Sequence, residues 1–116
     1  MREKLPARRH AEVIGFTHRL SRGEPQPHIA TVGFFADGRI GEVFIDLPKV
    51  SNDASNLAHD LAVVLSIALQ HGASIEEMRT AVGRAEDGAP HSLAGSALDM
   101  LADEQKRVLA QIAGQP

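Results

Sequence analysis

The chain contains no cysteine. That absence excludes disulfides, thiolate zinc sites, iron–sulfur clusters and any cysteine radical or nucleophile. An excess of either charge is also missing. Twelve Lys and Arg stand against fifteen Asp and Glu, a net charge of -3, so nucleic acid is not expected as a partner. The longest apolar run lies within residues 57–69, is interrupted by polar residues and is too short to span a bilayer. The opening MREKLPARRH is charged from its second residue with no apolar stretch behind it. No secretory signal is therefore expected, and the reading is a cytoplasmic domain without membrane contact. Internal repeats and low-complexity tracts are lacking too. What is present suffices for one domain: 116 residues, 43% hydrophobic and 23% charged, can bury a core but scarcely two.

Motifs that carry chemistry are equally scarce. There is no G-x-S-x-G elbow, and Ser51 and Ser66 have no local Ser–His–Asp arrangement. Gly33, Gly38 and Gly41 fall in a hairpin, not in a phosphate-binding G-x-x-x-x-G-K-[ST] loop. The six histidines, His10, His18, His28, His59, His71 and His91, include no i,i+3 or i,i+4 pair, so no metal site and no cofactor are expected. His18 and His28 can sit on neighbouring strands. His59-Asp60 is a weak catalytic candidate with nothing to support it. Glu76-Glu77 fit the first turn of a helix, where they answer its dipole.

Residues 1–11 form a basic N-terminal arm with Arg2, Lys4, Arg8 and Arg9 against Glu3, and Pro6 works against a helix. It reads as a solvated segment or, more sharply, as a phosphate or acidic-partner contact through Arg8 and Arg9. Residues 12–116 read as a single domain. In residues 12–20, Ile14, Phe16 and Leu20 share one parity, as in a half-buried strand. SRGEPQP (21–27) is a connector. Residues 28–35 and 40–47 are β-rich runs separated by Asp37-Gly38, a strong hairpin signal. A two-residue loop predicts Phe34 opposite Gly41, Val32 opposite Val43, Ala30 opposite Ile45 and His28 opposite Leu47, all on a core face. The other face carries Ile29, Thr31, Gly33 and Phe35 beside Ile40, Glu42, Phe44 and Asp46. Four large apolar side chains are too many for a wet surface, so another layer of this chain or a second protein is expected to cover them. Glu42 either pairs with Arg39 or Lys49 or anchors a partner group.

Pro48 ends the third strand, and a polar loop, Lys49 to Ser55, leads into a helix over about 56–71 with Gly72 as its stop. Leu57, Leu61, Val64, Leu65 and Ala68 make a stripe, Val63, Ile67 and Leu69 fill in around it, and only His59, Ser66 and Gln70 stay polar. That pattern predicts a buried central helix. Ser74 to Glu77 form a capping box for a short helix presenting Ile75, Met78 and Val82. A loop from 83 to 90 leads to a third helix over about 92–112, with Leu98, Leu101, Val108 and Ile112 on one face, ended by Gly114 and Pro116. The fold class is thus α+β, a small antiparallel meander followed by three helices packed on one face.

Three stretches together resemble a known family. Leu5-Pro6-Ala7-Arg8-Arg9 is similar to its "LPxRR" start. TVGFFADGRIGEVFI (31–45), followed by Lys49, resembles its "TVGxxxDGRxGEIFI" hairpin, and LSIALQHGASIEEM (65–78) resembles its "SLALQYGVPLEEL" segment. These identify the chain as a member of the TSCPD domain family, found near the C-terminus of adenosylcobalamin-dependent (class II) ribonucleotide reductases and as small stand-alone bacterial proteins. Ser92 to Ala102 resembles the tail of the stand-alone form. The resemblance implies a regulatory or interaction module. The reductases do their radical chemistry with cysteines in a large barrel, so a chain without cysteine is expected not to be an enzyme. The Cys that helps name the family is absent, and Ser51-Asn52 replace the Gly-Ser of its "KxGS" loop.

Two functions are expected on this basis. The first is self-association as a homo-oligomer (a dimer), or docking to a larger partner such as a reductase, through Ile29, Phe35, Ile40, Glu42 and Phe44. The second is a nucleotide or phosphate sensor linked to deoxyribonucleotide synthesis, in which Lys49, Ser51 and Asn52 at a helix N-terminus receive an anion and Arg8 or Arg9 closes over it.

Overall fold

In the computed structural model, residues 1–19, 23–48 and 52–115 are described. Three strands, β1 (Ala11–Arg19), β2 (Pro25–Phe34) and β3 (Ile40–Asp46), precede three helices, α1 (Asn52–Gln70), α2 (Ile75–Ala81) and α3 (Leu93–Ala113). The strands form an antiparallel meander in the order β1-β2-β3. The α+β class read from the sequence is the architecture found.

The hairpin register departs from expectation at one end. Val32 faces Val43 and Ala30 faces Ile45, but Phe34 faces Ile40, not Gly41. Gly38 N–H donates to Phe35 O (3.0 Å) and Phe35 N–H donates to Arg39 O (2.7 Å). The loop therefore holds three residues, Ala36, Asp37 and Gly38, with Gly38 at φ 94°. Gly41 is the extra residue that restores the original register beyond it, a bulge between Phe34 and Gly33 on the partner strand. A side chain there would strike Leu5 and the Phe35 ring.

One apolar residue changes face for this reason, and another is covered where it stands. Ile40, expected on the outer face, pairs with Phe34, turns to the core face and is 3% exposed. Phe35 stays beyond the outer end of the sheet but is 5% exposed, with Leu5 close by and the Arg39 guanidinium 4.7 Å above its ring.

The prolines of β2 are placed where they do no harm. Phe34 N–H donates to His10 O (3.0 Å), so even-numbered residues of β1 and β2 exchange the ladder bonds. Pro25 and Pro27 are odd, and β3 pairs only from Ile29 onward, so neither ring displaces a ladder donor.

The even residues of β2 and the odd residues of β3 supply the sheet side of the core, Ala30, Val32, Phe34, Val43 and Ile45. Leu93, Ala97, Leu98, Leu101 and Val108 of α3 cover it, with Ile75, Met78 and Val82 packed at its margin. The Ser74 hydroxyl accepts from Glu77 N–H (2.9 Å), as the capping box predicts. Ile112, expected in the α3 stripe, is partly exposed and packs over Gly38. Arg79 and Arg84 both hold Asp99, at 2.7 and 2.5 Å, and tie α2 and the following loop to α3.

The expectation of a buried central α1 is corrected. Only Ala58, Ala62, Leu65, Leu69 and Gln70 are buried; Leu57, Val63, Val64 and Ile67 are exposed. The stripe Ala58, Ala62, Leu65 and Leu69 enters the core, and Ser66 and Gln70 beside it meet the edge of the sheet. Ser66 accepts from Val43 N–H (2.9 Å) and donates to Val43 O (3.1 Å), while Gln70 donates to Gly41 O (2.8 Å). These groups lie on the outer edge of β3, so α1 closes that edge. Its small residues Ala58 and Ala62 allow the close approach.

Candidate interaction surface

The outer sheet face is organised in rows by the strand register. Val13, Thr31 and Phe44 stand side by side across the three strands; the neighbouring rows are Gly15, Ile29 and Asp46, and Ala11, Gly33 and Glu42. Val13 is 72%, Ile29 43% and Phe44 53% exposed. Next to Phe44, a groove of about 650 Å³ runs between β3 and α1, with Thr31, Phe44, Val63 and Ile67 among its lining. The exposed apolar side of α1 thus continues the exposed apolar face of the sheet. Glycines at 15 and 33 keep the surface low around the protruding side chains, and nothing lies within 4 Å of a Cβ built on Gly15.

One end of this face is covered by the chain itself. Arg2 donates to the Gln70 side chain (2.6 Å), Glu3 N–H donates to Gln70 O (2.6 Å), and Glu3 pairs with Arg39 (2.8 Å). Leu5 lies against Gly41 and Phe35. Arg9 pairs with Glu42 (2.5 Å) and donates to Pro6 O. Among the described residues the partner of Glu42 is therefore Arg9, not Arg39, and its carboxylate fills the space left by the missing side chain of Gly33. At the hairpin tip, hydrogen bonding from Arg39 holds the Asp37 carboxyl below its ordinary range.

Of the residues expected to interact, Ile29 and Phe44 stand on the open face, Glu42 lies under Arg9, and Phe35 and Ile40 are buried. Val13, Val63 and Ile67 belong to the same patch but were not among the residues expected to interact. The parity opposite to Ile14 and Phe16 is the signal that finds Val13, whereas the side of α1 turned outward could not be read without knowing that β3's edge needs Ser66 and Gln70.

Lys49 and Ser51 lie outside the described residues, as do Leu20 and Pro116. Asn52 begins α1 and is exposed; Arg8 is exposed on the arm. Arg9 and Glu42 sit beside Gly41, which Gln70 holds at the far end of α1. The helix rises 1.5 Å per residue, so its 19 residues separate Asn52 from that end by roughly 27 Å. His59 and Asp60 touch (3.3 Å) but both are exposed, and no group of three His, Asp or Glu converges among the described residues. No helix among them is long and apolar enough to cross a membrane.

Comparison with known proteins agrees with the motifs. The chain is 40% identical over 76 residues to the vitamin B12-dependent ribonucleotide reductase of Agrobacterium fabrum, 66% of this chain and 6% of that protein. The reductases of the same name from Bradyrhizobium diazoefficiens and Rhodopirellula baltica match at 34% over 76 residues and 33% over 75. The chain thus spans 6–7% of the length of these relatives. No solved structure matches it significantly. The profile of the TSCPD domain matches residues 3–112, nearly the whole sequence, and the chain belongs to the TSCPD domain family.

Proposed function

We propose that this domain is a non-catalytic binding module that seats its outer sheet face and the adjoining side of α1 on a larger protein, a body of the vitamin B12-dependent reductase kind. One observation carries the reading: Val13 and Phe44, in one row with Thr31, and Ile29 in the next row are exposed on one face that runs into Val63 and Ile67 across the β3–α1 groove. A contiguous exposed apolar patch is the feature that marks docking surfaces. The choice of partner is supported by the relatives, in which a matching segment is a small part of a far longer chain and so has a large body beside it. The chain's own lack of cysteine leaves it no thiolate for radical or disulfide chemistry, so it contributes by contact.

Binding of the purified chain to a purified vitamin B12-dependent reductase from the same source tests this. The wild type is expected to bind, and Phe44→Glu to weaken binding at least tenfold while melting as the wild type does. Loss of ring contacts and a charge left in a dry interface have that size of effect. No binding by the wild type, or equal binding by both, would overturn the reading.

A further inference from the structure

The two edges of the sheet are treated differently. Ser66 and Gln70 of α1 occupy the outer edge of β3. On β1 the even residues face β2, which leaves the N–H and C=O groups of Ala11, Val13, Gly15 and Thr17 directed away from the sheet. Among the described residues nothing hydrogen-bonds to them, and all four are exposed. No Lys, Pro or bulge blocks this stretch, although such devices ordinarily protect a free edge. At its C-terminal end a groove of about 790 Å³ opens between Thr17 and Arg19 and the loop carrying Ala85 and Asp87.

The sequence along this edge says what the strand is. Around Gly15 the chain reads Val13-Ile14-Gly15-Phe16-Thr17, close to a palindrome in shape: β-branched, large apolar, glycine, large apolar, β-branched. We infer that β1 pairs antiparallel with β1 of a second copy about a two-fold axis at Gly15, giving a six-stranded sheet. In that register Val13 faces Thr17 of the second copy, and outward N–H and C=O groups meet in reciprocal pairs from end to end. On the core side Ile14 faces the other copy's Phe16 twice over. Both residues are only partly buried at the margin of the core in one copy, and aromatic–β-branched cross-strand pairs are among the favourable ones. A strand of unrelated sequence would satisfy the backbone but not this matching, which is why the second copy is the occupant. The contact is confined to one strand edge, so it is a weak, concentration-dependent dimer. It uses an edge, whereas the docking proposed above uses the face, and the two stand independently.

Sedimentation of the full chain up to millimolar concentration tests it, with amide hydrogen exchange read in parallel. A dimer is expected in which the amides of Val13, Gly15 and Thr17 are slowed at least tenfold relative to the dilute protein. Gly15→Pro, which removes an outward donor but no ladder bond, and Thr17→Lys, an edge blocker on an exposed position, are each expected to weaken the dimer at least tenfold with melting unchanged. Phe44→Glu is expected to leave the dimer intact while losing the reductase. A chain monomeric throughout, or a dimer unchanged by both edge variants or with those amides unprotected, would overturn the proposal. A dimer lost in Phe44→Glu alone would do the same and assign self-association to the face.

Discussion

Phe35 and Phe44 differ by nine positions and lie on the same side of one hairpin, yet their substitutions have opposite expected outcomes. Phe35 is buried beside Leu5 with the Arg39 guanidinium over its ring, so Phe35→Glu gives up that burial for a carboxylate beside an Arg39 already engaged with Asp37 and Glu3, and costs about 3 kcal/mol. Phe44→Glu lies on open surface and changes stability by less than about 1 kcal/mol. Urea unfolding of the two variants checks the pair; equal losses would contradict the assignment of Phe35 to the interior. His18 offers a second test. It is buried, its Nδ1 lies 2.7 Å from the Ser96 hydroxyl, and its ring centroid lies 6.4 Å from that of His28. Burial first, and the neighbouring His28 second, push its pKa below the ordinary 6.5. The unfolded chain then binds the proton more readily than the folded one, so stability is full above about 6.5 and falls as pH drops through and below that value. The urea midpoint is expected to decline between pH 7.5 and 5.5 in the wild type and to decline less in His18→Gln. A midpoint flat over that range would contradict it.

At the scale of elements, α1 is the instructive case. Its sequence is apolar on most sides, and periodicity alone points to a buried helix. Its orientation joins two demands: the stripe Ala58, Ala62, Leu65 and Leu69 enters the core, and Ser66 and Gln70 satisfy the unpaired backbone of β3. Removing the hydroxyl in Ser66→Ala leaves a donor and an acceptor of Val43 without partners, at a cost of about 1–3 kcal/mol, far above that of Val64→Ala on the exposed side. Chemical denaturation of both variants measures the difference; a larger loss for Val64→Ala would restore the buried-helix reading. The meander, the Ser74 cap and the course of α2 and α3 were legible because each rests on neighbouring residues. The hairpin tip was half legible. Asp37-Gly38 announced a turn, but a two-residue and a three-residue loop share that signal, and only Gly41 hinted that a bulge would restore the register. Ile40 was misplaced by that single residue. The candidate surface was legible as an excess of apolar residues on the outer face, while its extension onto α1 depended on tertiary contacts that no local pattern carries.

For the whole molecule, the sheet is closed along one edge, covered by helices on one face, capped at one end by its N-terminal arm, and open on what remains. The open face holds Val13, Ile29 and Phe44 beside Val63 and Ile67. The arm's hold on Gln70, Arg39 and Glu42 fixes where that opening stops. Assigned NMR spectra of the chain titrated with a purified vitamin B12-dependent reductase test the central claim most directly. The account predicts that signals of Val13, Ile29, Phe44, Val63 and Ile67 move or broaden together while those of Leu109 and Ile112 on α3 stay in place. Perturbation confined to α3, or none at all with the reductase in excess, would contradict it.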